Sequence, residues 1–260
     1  MGVTSKKYYF GKVKAIANTF IGGVSATLNT PALVAAKLGI AAYRIKVFSI
    51  VGSDIQFAIT GGSYVIPVNA FNGNTAITYY YDTDYLITGI GNNAFFGTTN
   101  LAAISELRNC ITLGIASFLG SSKITTIVTP KVTTIGEACF RSCSKIVEFN
   151  FPELVTCNSA SATGNTGTFE NCTSLQRIYM PKCKTVTGYR LMQNCSSLLE
   201  FYAPQLTQLG ITLNNDANFN TIKTGCTITV PVALQTINSG SPDGDLVYAS
   251  GTRGATIIYV

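Results

Sequence analysis

The feature that most constrains this chain is that it falls into register with itself. From Ile124 onward the units ITTIVTPKVTTIGEACFRSCSK, IVEFNFPELVTC with its closing TFENCTS, LQRIYMPKCKTVTGYRLMQNCSS and LLEFYAPQLTQLG share one template. An aliphatic residue is followed by two variable positions, an apolar residue, two more variable positions and Pro. Then come a core residue, a Thr- or Lys-containing step, a second core residue and an F-x-x-C turn. The leading aliphatics Leu101, Ile124, Ile146, Leu175 and Leu198 are spaced by 23, 22, 29 and 23 residues, and Pro130, Pro152, Pro181 and Pro204 by 22, 29 and 23. The long step holds SASATGNTG, an insertion polar and small enough to be a loop on one face. Three markers that move together through a variable step define a repeat, and a repeat of this period specifies a stacked architecture.

One such unit cannot bury its apolar side alone, whereas stacking closes a continuous core between neighbours. Rungs about 4.8 Å apart would make six coils roughly 25–30 Å long. The recurring Pro follows each strand, where it ends ladder pairing at little cost. Upstream, AFFGTTNL and SFLGSSKI read as degenerate copies of the turn with Gly in place of Cys. Cys143, Cys172 and Cys195 occupy one repeat position, and Cys157 and Cys183 fall where Ile135, Val186, Val132 and Leu154 stand elsewhere. The eight cysteines therefore read as buried free thiols acting as small hydrophobes. No metal site is expected, since the chain has no His and lacks paired C-x-x-C; CFRSC (Cys139, Cys143) is the nearest approach.

A step near 23 residues that closes in EACFRSCSKI and GTFENCTSL resembles the BspA-like, or Treponema-type, leucine-rich repeats, whose hallmark is A-F-x-x-C-x-x-L. The resemblance covers about residues 85–222. It departs from the pattern at Met192, where Phe is expected, and after Leu209, where ITLNNDANFNTI lacks the Cys. It implies a right-handed solenoid of short stacked strands, in proteins used for adhesion and recognition outside or on cells. The expected fold is mainly β: a leucine-rich-repeat solenoid over residues 81–225, a small α+β N-terminal domain over 1–80 and a β C-terminal cap over 226–260.

The raw ends of a solenoid need covering. TPALVAAKLG reads as a short helix, with Thr30 as N-cap, Pro31 at the first position and Gly39 as stop. YRIKVFSI, DIQFAIT and SYVIPV read as strands separated by GS and GG turns. This segment would cap the first coil and attach the protein to something else. At the other end, CTITVPVALQTI and VYASGTRGATIIYV read as strand-like runs around NSGSPDGDL. Asp243 and Asp245 in that loop lack the remaining ligands of a Ca²⁺ loop and read as a turn.

The absence of His removes the commonest general base and the usual Ser and Cys triads. The pairs Asp82/Asp84 and Asp243/Asp245 sit in turn-like sequence, with no sign of two carboxylates facing across a cleft. G-x-G-x-x-G and Walker patterns are missing, so no enzyme and no cofactor are expected. Hydrophobic residues make up 47% of the chain, which excludes disorder along its whole length. The net charge of +6 is lopsided: Lys6, Lys7, Lys12, Lys14, Lys37, Arg44 and Lys46 all precede the first acid, Asp54. Lys6, Lys7, Lys12 and Lys14 are candidates for anchoring to an acidic partner. Nucleic acid is not expected, because no basic helical stripe or binding motif accompanies the charge. No membrane span is expected without a run of roughly 18 apolar residues. Asn18, Thr19 and two glycines interrupt AIANTFIGGVSA, so a cleaved secretion signal is not expected either.

Alternation along a strand turns the residues on either side of a core position outward. Before the core residue stand Thr126, Glu148, Arg177 and Glu200; after it stand Val128, Asn150, Tyr179 and Tyr202. In register, Glu148, Arg177 and Glu200 would form a ladder of alternating charge, with Asn150, Tyr179 and Tyr202 beside it. Such pairs can simply stabilise a sheet, or they can present a binding face to a protein or glycan receptor. The expected function is a non-enzymatic bacteriophage virion protein: a fibre, decoration or receptor-binding subunit. It would assemble in the bacterial cytoplasm as a homo-oligomer and meet other virion proteins through its N-terminal domain. The motives are the weak secretion signal, the basic N-terminus, the thiol-rich repeats and a Thr/Asn/Gly composition similar to phage fibre tips. The alternatives are a bacterial cell-surface or secreted adhesin and an intracellular scaffold.

Overall fold

Each repeat unit makes one coil with two straight runs, and equivalent runs of successive coils pair as parallel strands. The computed structural model describes residues 18–159 and 166–260. Lys6, Lys7, Lys12 and Lys14 therefore lie outside the described residues. The chain begins with β1 (Thr19–Gly22), helix α1 (Pro31–Lys37), β2 (Ile45–Val51), β3 (Asp54–Ile59), β4 (Tyr64–Ile66) and β5 (Tyr79–Asp82). Then follow β6 (Ile87–Ile90), β7 (Ala103–Ile104), β8 (Thr112–Leu113), β9 (Thr134–Ile135) and β10 (Glu148–Asn150). The insertion separates β11 (Thr156–Ser159) from β12 (Arg177–Tyr179), followed by β13 (Thr185–Gly188), β14 (Glu200–Tyr202) and β15 (Gln208–Leu209). β16 (Thr227–Val230), helix α2 (Gly244–Arg253) and β17 (Thr256–Tyr259) close the chain.

Among the described residues these strands form three sheets. One has the order β15-β13-β11-β9-β8-β6-β4 and another β10-β12-β14-β16-β17, and every pairing in both is parallel. The third, β2-β3-β1-β5-β7, is antiparallel from β2 to β5 and turns parallel at β7. The fold is thus a mainly β solenoid whose first coils grow out of a small antiparallel sheet.

The F-x-x-C turn forms the spine of the core. Phe71, Phe95, Phe118, Phe140 and Phe169 are each at most 1% exposed and stack coil upon coil. Their successive ring centroids lie 5.3, 5.2, 5.6 and 6.0 Å apart, with interplanar angles of 16°, 6°, 5° and 6°. One Phe per coil thus fills the same place, and offset-stacked rings attract beyond the area they bury. Met192, also buried, stands where the stack breaks. The cysteines below it have a donor's role as well as an apolar one. The Cys143, Cys172 and Cys195 thiols donate to the Phe118, Phe140 and Phe169 carbonyls of the preceding coil at 3.2, 3.1 and 3.2 Å.

Upstream, the Gly-for-Cys reading of the turn needs correction by one residue. Thr98 and Ser121 take the Cys place: both are buried, their hydroxyls are 2.8 Å apart, and Ser121 donates to the Phe95 carbonyl at 2.9 Å. Gly97 and Gly120 (φ 64° and 74°) take the place of Ser142, Asn171 and Asn194 (φ 62°, 62° and 63°), a left-handed position that Gly and Asn occupy most cheaply. A second constraint sits at the coil corner after β9. A Cβ on Gly136 would lie 2.5 Å from the Ile115 nitrogen of the neighbouring coil, so only glycine lets the backbones approach.

The N-terminal helix follows its signals: Leu33 N–H donates to Thr30 Oγ1 at 3.2 Å, and Gly39 has φ 62°. The strand at SYVIPV, however, belongs to the solenoid. β4 pairs in parallel with β6, and Phe71 starts the aromatic stack. The parallel register therefore begins at Tyr64, one coil before the sequence markers become obvious. At the far end, the run from Val247 is part of helix α2 rather than a strand, capped by Asp243 and stopped by Gly254 (φ 61°). β17 then adds a further parallel rung to β16.

Candidate functional site

Glu148-Phe149-Asn150, Arg177-Ile178-Tyr179 and Glu200-Phe201-Tyr202 make three adjacent rungs with identical alternation. Phe149, Ile178 and Phe201 face the core at 0%, 1% and 0% exposure. Period two then fixes the outer residues, and the register aligns Glu148 with Arg177 and Glu200, and Asn150 with Tyr179 and Tyr202. Immediately after each rung a buried residue, Phe151, Met180 or Ala203, donates its N–H to the carbonyl of the next coil's outer residue at 2.9 Å. The following Pro152, Pro181 and Pro204 end the run.

All six candidate residues of the binding face therefore meet on one outer surface. Arg177 Nε lies 3.9 Å from Glu200 Oε2, with both side chains about half exposed. Such an exposed pair contributes at most about 1 kcal/mol, so stability alone is a weak reason for this arrangement. The Tyr179 and Tyr202 rings stack at 4.8 Å between centroids and 10° between planes. A shallow depression of about 290 Å³ opens beside them, lined by Glu148, Asn150, Arg177, Ile178, Tyr179 and Glu200. Thr126 and Val128 do not extend this ladder, because residues 124–129 form no strand.

Two features were not singled out from the residues alone. The outer side of the seven-stranded sheet carries Thr112, Thr134, Thr156 and Thr185 in register, a polar ladder without charge or aromatic rings. A second depression, about 470 Å³, is lined by Asn18, Tyr81, Asp82, Asp84, Tyr85 and Glu106 among others. There Asp82 is buried, and its Oδ2 accepts from Ile87 N–H at 2.9 Å, which makes it a brace for the chain. Arg108 pairs with Glu106 at 2.6 Å and lies 4.5 Å over the Tyr85 ring.

The cysteine thiols are poorly suited to chemistry. All eight cysteines are buried and free. Burial pushes the thiols of Cys110, Cys172, Cys183 and Cys226 up to about 12 and those of Cys139, Cys143, Cys157 and Cys195 upward as well. A thiol held protonated is neither a nucleophile nor a metal ligand. Asp243 and Asp245 are raised to about 6 and about 7, first by burial; the Asp216 carboxylate raises both further, and Asp243 also raises Asp245. Among the described residues, no group of three or more His, Cys, Asp or Glu is arranged to hold a metal, and no helix is long and apolar enough to cross a membrane.

Parallel rungs two to four residues long, a stacked Phe spine and a thiol-closed turn define a leucine-rich-repeat solenoid. The chain belongs to the family of the BspA type leucine rich repeat region, of which six copies match residues 64–167 and 155–241. No curated protein matches it. Among solved structures it is similar to a leucine rich cell surface protein from Faecalibacterium prausnitzii A2-165, at 20% identity and a TM-score of 0.49. That alignment covers 70% of this chain, which spans only 45% of the length of the other. It is also similar to the leucine rich repeat protein of T. pallidum (20% identity, TM-score 0.38, 61% of this chain and 89% of that one). A leucine-rich repeat protein from Bacteroides ovatus follows at 10% identity and a TM-score of 0.19, covering 82% of this chain and 90% of that one.

Proposed function

We propose that this protein is a non-enzymatic recognition protein that binds its partner with the outer face of β10, β12 and β14. The observation that carries this reading is the half-exposed Tyr179 set in a depression among paired charges, on a surface the core does not need. Interfaces gather their binding strength in such aromatic and Arg anchors. Thiols held protonated and the missing His support a role in binding rather than catalysis.

For the setting, we propose a bacteriophage virion: a fibre, decoration or receptor-binding subunit assembled in the bacterial cytoplasm. Eight buried free thiols suit folding in a reducing compartment. The seven basic residues before Asp54, Lys6, Lys7, Lys12 and Lys14 among them, supply attraction to an acidic neighbour in the particle, where several copies would meet symmetrically. The second reading, a bacterial cell-surface adhesin, is favoured by the family's repeats and uses the same face. Binding of the purified protein to intact bacteria tests the recognition reading. Wild type is expected to bind, with Tyr179→Ala or a Glu148→Ala/Glu200→Ala pair losing at least tenfold in affinity; unchanged binding would exclude the face. Co-purification with phage particles decides for the virion, and recovery of the protein from the surface of intact bacteria decides for the adhesin.

A further inference from the structure

We infer that the partner of this face is a carbohydrate, and that the uncovered side of the Tyr179 ring is the platform on which a pyranose ring stacks. This assignment rests on the face being a recognition surface. Tyr202 covers one side of the Tyr179 ring, 4.8 Å away and nearly parallel. On the other side the register places Asn150, a residue too short to lie across a phenol ring. The depression opens there: Tyr179 and Asn150 line it and Tyr202 does not. The tyrosine stack thus stops one rung short, and a flat aromatic surface is left bare at its end.

What surrounds that bare side selects the guest. A sugar presents one face of C–H bonds and a rim of hydroxyls, each of which can both donate and accept. Glu148 and Glu200 only accept, Arg177 only donates, and the Asn150 amide does both, so the rim meets each kind of partner. Protein hot spots cluster in fully desolvated pockets, whereas Glu148, Asn150, Arg177 and Glu200 line this depression with exposed polar or charged side chains. The volume, about 290 Å³, lies at the small end of the roughly 300–1,000 Å³ of ligand pockets, room for one or two sugar rings.

The test uses the full chain on an array of neutral and acidic glycans, with hits titrated by calorimetry against wild type and three variants. Asn150→Tyr extends the stack by one ring and covers the platform without opening a cavity. It is expected to lower glycan affinity at least tenfold while leaving the melting temperature unchanged or raised. Tyr179→Ala should lose binding to the same extent. Tyr202→Ala, which keeps the platform, should stay within about threefold. A hit that tolerates both Asn150→Tyr and Tyr179→Ala overturns the assigned site. Binding to bacteria that survives periodate oxidation of their glycans, with no hit on the array, overturns the carbohydrate and leaves the recognition reading standing. Failure to bind either bacteria or glycans removes both.

Discussion

The spine of the solenoid and its β10–β12–β14 face are built from the same coils and obey opposite rules. Along the spine the same side chain returns rung after rung: five phenylalanines stacked at 5.2–6.0 Å, and beneath them Thr98, Ser121, Cys143, Cys172 and Cys195, all small hydrogen-bond donors. Along the face each rung differs, from Glu and Asn to Arg and Tyr to Glu and Tyr. A ring wedged between two rings has one shape to match, because interiors pack to crystal density. A residue standing in solvent is held to little, and what it carries is then open to recognition.

The largest effect expected from this contrast lies in the spine. Phe140→Ala should cost about 3–5 kcal/mol in chemical denaturation. A loss under about 1 kcal/mol would mean that the stack is not what holds the coils together. The next effect is acidic and sits at the C-terminal end, where Asp243 Oδ2 finds no hydrogen-bond partner among the described residues. The folded-state pKa values of Asp243 and Asp245, about 6 and about 7, exceed the 3.8 of a carboxyl in water. Folding therefore takes up protons at these groups. Their favourable contribution is complete below about pH 4 and is lost as the pH rises through 6 to 7. Thermal melts should show stability increasing by on the order of 2 kcal/mol from pH 8 to pH 5. Asp243→Asn should flatten that slope, and a profile that rises with pH instead would show the carboxylates to be solvated or paired.

Smaller effects sharpen the comparison. Cys143→Ser should cost only about 1 kcal/mol, since Ser121 already fills the equivalent place and donates to Phe95 as Cys143 does to Phe118. Thiol titration should find all eight cysteines reactive only after denaturation, and a reducing agent should leave the melting temperature where it was. Smallest of all, Arg177→Ala should change stability by about 0.5 kcal/mol or less. A cost comparable to Phe140→Ala would make the charge ladder structural and erase the distinction between spine and face.

Much of this was legible in the residues, and the gaps have particular causes. The Phe and Cys places, the Pro stops and helix α1 could be read directly, because each has a local rule of spacing or capping behind it. The six face residues could be grouped in advance because side chains alternate strictly along a strand. The first coil is masked in the sequence although AFNGNTAI repeats AFFGTTNL, since Pro67 stands where later coils have Gly91 or Gly114. In helix α2 Val247 and Tyr248 carry a strand-like local signal, which the Asp243 cap and Gly254 outweigh. Burial of Asp82, Asp243 and Asp245 could not be foreseen, because turn-like sequence normally lies in water.

The sequence by itself determined the content of the repeating rungs, since the period, the alternation and the buried positions are properties of the chain's own order. Only the tertiary structure decided that Arg177 pairs with Glu200 and that Tyr179 is covered by Tyr202 on one side and lines a depression with Asn150. Those facts depend on how side chains from residues 23 to 29 positions apart settle against one another, which is set by the packing of neighbouring coils and leaves no mark within any one of them.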